Sequence, residues 1–368
     1  MSLEWIKPRK RCVKTMSKLK AFLKRKDIVF SAKRYGIDAL CAMAQGLFCS
    51  LLVGTIVKTL GQQLALDFLV QVGDFASQMS GAAMAVAIGF ALKAPAMVLF
   101  SLATVGYAAN SIGGAGGPLA VFVIAIVAAE CGKVVSKETK VDILVTPIVT
   151  ILVGVGLAAL IAAPIGKAAM AVGDAIKWAT GQQPFLMGIL VSVIVGIALT
   201  LPISSAAICA ALGLTGLAGG AAVAGCCAQM VGFAVMSFKE NRWGGLVAQG
   251  IGTSMLQMPN IIKNPRVWIP PIVASAITGP LATCLFKLEM NGSAVSSGMG
   301  TCGFVGQIGV YTGWVSDVAS GAKAAITPMD WVGLVLICFI LPAILSVVFC
   351  NVLRKIGWVK ENDLKLEL

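Results

Sequence analysis

The chain has 368 residues, of which 58% are hydrophobic and 12% charged, with a mean hydropathy of +0.91. A soluble domain carries about a quarter charged residues, so this composition excludes a water-soluble globular protein. The formal net charge is +13 and histidine is absent, which excludes Ser-His and Cys-His nucleophile pairs and phosphohistidine chemistry on this chain.

The positive charge is concentrated. Residues 1–34 hold Lys7, Arg9, Lys10, Arg11, Lys14, Lys18, Lys20, Lys24, Arg25, Lys26, Lys33 and Arg34. A basic segment directly before a membrane span reads as a cytoplasmic anchor on anionic lipid rather than a nucleic-acid surface. Lys14–Ser31 is expected to form an interfacial amphipathic helix, with Met16, Leu19, Phe22 and Leu23 toward lipid. Met1 to Arg34 does not read as a secretory signal, because its apolar core is interrupted and no small-residue cleavage site follows. Two regions follow: a basic amphipathic cytoplasmic segment, 1–34, and a transmembrane domain, 35–368.

The expected fold is all-α, a polytopic transmembrane bundle of about ten spans with both termini in the cytoplasm. Apolar stretches near the 20 residues that cross a bilayer recur, and period-2 alternation is missing, which favours helices over a barrel. In chain order, the first span is Gly36 to Lys58. Gly61 to Asp74 is mixed and interfacial, and Gly81 to Leu92 runs inward to Lys93. Pro95 to Ala109 runs outward, the glycines Gly113, Gly114, Gly116 and Gly117 break the helix, and Leu119 to Cys131 returns. Val141 to Ala163 is a span, Gly166 to Gln183 an external amphipathic stretch, and Phe185 to Leu201 a span. Ile203 to Leu217 and Gly219 to Phe238 are expected to form a hairpin. Trp268 to Leu288 and Trp331 to Leu353 are the last full spans, and Arg354, Lys355 and Lys360 place the C-terminus inside.

Two segments, Gly244 to Pro259 and Ser297 to Trp314, are too polar and too glycine-rich to face lipid. Broken segments at membrane depth survive only where protein or water surrounds them, and they commonly form the substrate sites of transporters. The candidate substrate-binding residues are the neutral polar groups at such breaks, Asn110, Ser111, Gln249, Thr253, Gln257 and Asn260, with Gln229 and Gln307, which lie mid-membrane by position. Amide side chains donate and accept at once, which suits a hydroxyl-rich solute; helix–helix hydrogen bonding is the competing role. No catalytic residue, metal site or cofactor is expected. Ten of the eleven cysteines fall in apolar stretches, without a CxxC pair, as small hydrophobes do in a reducing cell. The glycine run is no phosphate-binding loop, since the Lys-Ser/Thr ending is missing.

The runs Asn110-Ser111-Ile112-Gly113-Gly114-Ala115-Gly116-Gly117-Pro118-Leu119-Ala120 and Lys137-Glu138-Thr139-Lys140-Val141-Asp142-Ile143-Leu144-Val145-Thr146-Pro147 resemble the PfoR-type, enzyme-IIC-like membrane proteins of the phosphotransferase system. The resemblance implies a homodimeric inner-membrane fold, re-entrant hairpins, a sugar-like small polar solute, and separate IIA and IIB phosphotransferase partners. At most it implies the membrane subunit of a group-translocation system. Fructose-type members carry a Glu-Gly-x-Ile-Pro stretch before an Asp-Pro. Here the stretch reads Met255-Leu256-Gln257-Met258-Pro259, then Asn264-Pro265, so Met255 stands at the glutamate's position. That departure argues against ordinary sugar phosphorylation and leaves a membrane sensor or regulator as the alternative.

Overall fold

The computed structural model describes residues 20–366. The expected N-terminal segment therefore lies outside the described residues up to Leu19, including Met16. Its described remainder is a helical turn over 20–25. All regular structure among the described residues is helical, apart from a single bridge between Gly216 and Met290.

The first half builds from antiparallel helices. Helix α1 (Arg34–Gln63) is followed by α2 (Asp67–Gln78) and α3 (Ser80–Ala91), which run back along it with one break at Met79. Gly73 seats against Gly54, and Ala83 against Gly46. Lys58 and Asp74 pair at 2.6 Å across the same contact. The stretch expected to be interfacial is thus the outer half of a returning helix. Its Asp74 is matched by Lys58 of α1, a pairing that amphipathicity alone does not register.

Helices α4 (Ala96–Gly113) and α5 (Gly117–Val135) form the expected hairpin about the glycine break. Gly114 has φ +51°, a left-handed conformation that costs glycine little. Gly132 near the end of α5 packs against Val98 near the start of α4. Helix α6 (Asp142–Thr180) follows. Its 39 residues span about 58 Å at 1.5 Å per residue, well beyond a hydrocarbon core of about 30 Å. Its second half buries Ala169, Gly173, Ile176 and Ala179, the 3–4 spacing of one apolar face, and leaves Lys167, Asp174 and Lys177 exposed. The amphipathic stretch expected after the span is thus a continuation of the same helix.

The second half surrounds α9 (Gly216–Met236). It is flanked by α7 (Pro184–Thr200), α12 (Pro265–Leu285) and α15 (Pro328–Lys355). The most apolar 18-residue stretch of α9 is 94% buried. Glycines permit that approach: Gly220 seats against Leu288, Gly225 against Ser192, Gly232 against Ser346. Between α7 and α9 lies the short α8 (Ser205–Leu212), closed by Gly213 in the left-handed conformation.

Six helical stretches are long and apolar enough to cross a membrane, with α3 and α7 as shorter apolar helices. The expectation was about ten. The α4–α5 pair counts as one of the six although its arms are antiparallel, and broken helices such as α2–α3 fall short of the length criterion.

Buried charge in the first half is paired. Lys133 is 2% exposed. Its ammonium donates to the carbonyls of Asp27 (2.8 Å) and Leu92 (3.0 Å) and pairs with Glu130 at 3.1 Å. Removing one member of a buried pair strands the other at a cost of about 3–5 kcal/mol. Lys133→Ala is therefore expected to lower the unfolding midpoint in detergent sharply, and adding Glu130→Ala should recover part of the loss. An unchanged midpoint for Lys133→Ala would reject this role.

A surface clasp holds residues 25–27 to the turn after α5. Lys26 donates to the Ser136 carbonyl, and Lys26 and Arg25 reach Glu138 at 2.5 and 2.6 Å. The Lys26 hydrogen bond holds the Glu138 carboxyl below its ordinary range. A depressed carboxylate pKa means the contact is intact at neutral pH and is lost as pH falls through that lowered value. Glu138→Gln is expected to speed tryptic cleavage after Arg25 at neutral pH. Equal rates in the two proteins would show that the clasp holds nothing.

Candidate functional site

Two broken hairpins enter the second half from opposite ends. The first runs through α10 (Phe238–Val247), a π-turn at Ala248–Gly252, an extended Thr253, a 3-10 turn at Ser254–Gln257, and α11 (Met258–Lys263). Thr253 at φ −157°, ψ 142° ends the inward arm, and its hydroxyl caps the next turn by accepting from the Met255 amide at 3.1 Å. Pro259 lies in the first turn of α11, where a missing N–H costs nothing.

The second hairpin descends through α13 (Ala294–Ser297) to a 3-10 turn at Cys302–Phe304 and returns as α14 (Val305–Ala319). Its tip needs left-handed backbone at Gly300, Gly303 and Phe304. Gly300 abuts Cys226 of α9. The two tips touch each other, 248–252 against 302–304. Phe48 and Ile56 of α1 pack on them at Gly252 and Gly303.

Five of the sequence-predicted residues gather at the first hairpin and α9. Gln249 and Gln257 are fully buried. Gln257 Nε2 donates to Gln249 Oε1 at 2.8 Å, and Asn260 Nδ2 donates to Gln257 Oε1 at 2.8 Å. Gln249 Nε2 donates to the Ser237 hydroxyl and the Gly245 carbonyl, both at 2.9 Å. Gln229 accepts from the Trp268 indole at 2.9 Å and donates to Ser275 at 3.4 Å. Thr200 joins Gln229 (3.4 Å) to Ser254 (2.8 Å), beside Thr253.

Gln307 lies on the second hairpin. Its Nε2 contacts Cys227 Sγ at 3.1 Å, while its buried Oε1 has no partner. Asn110 and Ser111 lie elsewhere, at the α4–α5 turn. Asn110 donates to Ser80 at 3.3 Å and lies against Gly117, and Ser111 is exposed.

Sequence reasoning missed the chain's own C-terminal tail. Residues 358–366 fold back onto the first hairpin, with Val359 and Leu364 buried. The Leu364 carbonyl accepts from Gln257 (3.0 Å) and Asn241 (2.7 Å), and the Lys365 carbonyl from Asn260 (2.9 Å). Asn264 holds the Trp358 carbonyl and Asp363, and Arg266 stacks on Trp358. Main-chain acceptors leave no side-chain signature, so no pattern announced this. Trp268, Ser275 and Thr200 were likewise hidden, each looking like an ordinary span residue. Met255 is 3% exposed and packs in the apolar core with Met43 and Leu47.

The family description "Phosphotransferase system, EIIC" matches residues 37–366. The chain belongs to the phosphotransferase-system EIIC family. No curated protein and no solved structure gives a match. This EIIC chain is therefore a multi-pass membrane protein of a transporter family.

Proposed function

We propose that this EIIC chain carries a small polar, sugar-like solute across the cytoplasmic membrane by alternating access, with the solute bound where the two hairpin tips meet. The carrying observation is the contact of the two tips, 248–252 against 302–304, with the buried Gln249–Gln257–Asn260 chain on one hairpin and the unpartnered Gln307 Oε1 on the other. An orphaned buried acceptor is costly, and a solute hydroxyl would satisfy it. Separate IIA and IIB proteins would supply phosphate if transport is phosphorylation-linked, and a homodimer follows from the family resemblance.

The orientation rests on charge. The tail bonds to Gln257 and Asn260, and α11 packs near residues 34–38, so Arg34, Lys133, Lys263, Arg266 and Arg354 share one face. The opposite side holds acids and lysines in near balance, Asp67, Asp74, Asp174, Glu289, Asp317 and Asp330 with Lys58, Lys167, Lys177, Lys287 and Lys323. The positive-inside rule makes the basic face cytoplasmic. On this reading both ends of the described chain lie inside, and the paired arms of α4–α5 and α2–α3 support a crossing count above six.

The test is thermal stabilisation of purified protein by a panel of sugars, sugar acids and polyols. Binding adds stability by mass action, about 2.7 kcal/mol at a hundredfold excess over Kd. Gln307→Met removes the unpartnered carbonyl and gives up only the Nε2 contact to Cys227 Sγ, so it should nearly keep the ligand-free melting point and lose the solute shift. A shift that survives in Gln307→Met and in Gln257→Ala would move the site elsewhere.

Met255 favours one second reading, a regulator of PfoR type that does not transport. An apolar side chain packed in the core stands where sugar-transporting relatives keep a carboxylate. Under that reading, deleting the protein alters expression of other genes and leaves solute uptake unchanged.

A further inference from the structure

A cavity of about 340 Å³ opens at the basic face, away from the hairpins, between residues 25–27, the 93–95 bend and the turn after α5. Five cations line it: Arg25, Lys26, Lys93, Lys133 and Lys137. Asp27 and Glu138 are the acidic groups there, and both are already engaged, Asp27 by Arg34 at 2.7 Å and Glu138 by Arg25 and Lys26. Neither Lys93 nor Lys137 forms a salt bridge among the described residues. Both are exposed and stand at left-handed turns, φ +55° and +60°. Lys133 at the wall is fixed by its two carbonyls and Glu130, so the cavity has an ordered cationic floor.

Strongly exposed apolar residues flank the cavity's segments along the chain. Phe90 (76% exposed) lies just before Lys93, and Ile143 (71%) and Leu144 (61%) just after the Lys137–Asp142 turn. Cationic groups beside an apolar wall match an amphiphile with an anionic head. A free anion would use the lysines and leave the wall unexplained.

We propose that this cavity binds the phosphate headgroup of an anionic phospholipid from the cytoplasmic leaflet, with acyl chains along Phe90, Ile143 and Leu144. Lys93 and Lys137 contact the phosphate, and Arg25 and Lys26 close the site through the Glu138 clasp. The bound lipid would join the N-terminal segment, the α3–α4 bend and the α5–α6 turn. The site stands independently of any solute site between the hairpins.

The experiment delipidates the full-length protein in neutral detergent. It then measures binding of dioleoyl phosphatidylglycerol, dioleoyl phosphatidylcholine and inorganic phosphate by native mass spectrometry and thermal shift. Each lysine near a membrane surface contributes about fivefold to anionic-lipid affinity. Lys93→Gln/Lys137→Gln should therefore bind phosphatidylglycerol roughly thirtyfold more weakly, while Lys355→Gln, an exposed lysine of the same face outside the cavity, should bind as wild type. Both cavity lysines are exposed, so the double variant should keep the lipid-free melting point, which serves as the folding control. Equal phosphatidylglycerol binding by wild type and double variant overturns the proposal. So does equal binding of phosphatidylcholine. Inorganic phosphate matching the phosphatidylglycerol shift would assign the cavity to a soluble anion and overturn the lipid.

Discussion

Gly225→Leu is expected to abolish assembly of the second half of the bundle. A Cβ at this position would overlap the Ser192 carbonyl of α7, and backbone cannot yield as a side-chain end can. Ser192 is itself fixed, since its hydroxyl donates to the Ser275 carbonyl of α12 at 2.8 Å. Three helices would have to separate to admit the side chain. Overpacking in a tight core costs about 1–3 kcal/mol where side chains can adjust, and more is expected where only main chain is in the way. Monodisperse protein should fall to background on size exclusion for Gly225→Leu and remain partly recoverable for Gly225→Ala. Normal yield and melting point for the leucine variant would mean that α7 and α9 do not pack as described.

Deleting residues 358–368 is expected to loosen the first hairpin while the bundle stays folded. Donors on Asn241, Gln257, Asn260 and Asn264 lose main-chain or side-chain acceptors on the tail. Each lost hydrogen bond contributes about 0.5–1.5 kcal/mol net. Local opening of the segment 248–263 should then be easier by at least about 2 kcal/mol, read as hydrogen exchange accelerated more than tenfold at its amides. Amides of α9, buried by other helices, should be unaffected. Exchange unchanged over 248–263 would show that the tail rests on the hairpin without restraining it. Gln257→Ala should reproduce part of the effect, because it also strands Gln249 Oε1.

Local chemistry made parts of this fold legible. The α4–α5 reversal followed from clustered glycines, and the two broken segments from amides and glycines too polar for lipid. The structure brings Gln229, Gln249, Thr253, Gln257 and Asn260 close to one another because they occupy one hairpin and the helix it packs on. Asn110 and Ser111 had the same local signature, but their glycine break is a helix turn at the far end of the first half. Composition cannot tell a re-entrant tip from a tight turn; only what lies across from it can. The tail contacts were illegible for a related reason. They join residues more than a hundred positions apart through main-chain carbonyls, which every residue possesses. The running of α6 past its span was hidden by Pro164 and Gly166, which resemble a boundary. A π-turn at Ala158–Ala162 lies just ahead of Pro164, widening the helix where the proline lacks an N–H.

The burial of α9 also bears on biogenesis. Its most apolar stretch is less apolar than those of α6 or α15, yet it is far more enclosed by protein than either. Helices that face lipid are selected by lipid as they leave the translocation channel, and α6 and α15 qualify on their own. Helix α9 presents glycines, Gln229 and two adjacent cysteines, Cys226 and Cys227, which neighbouring helices must cover. The neighbours that cover it on two sides, α12 and α15, are synthesised later. A nascent chain ending shortly after Met236 would therefore hold its central helix against α7 alone, without the Trp268 and Ser275 of α12 that satisfy Gln229.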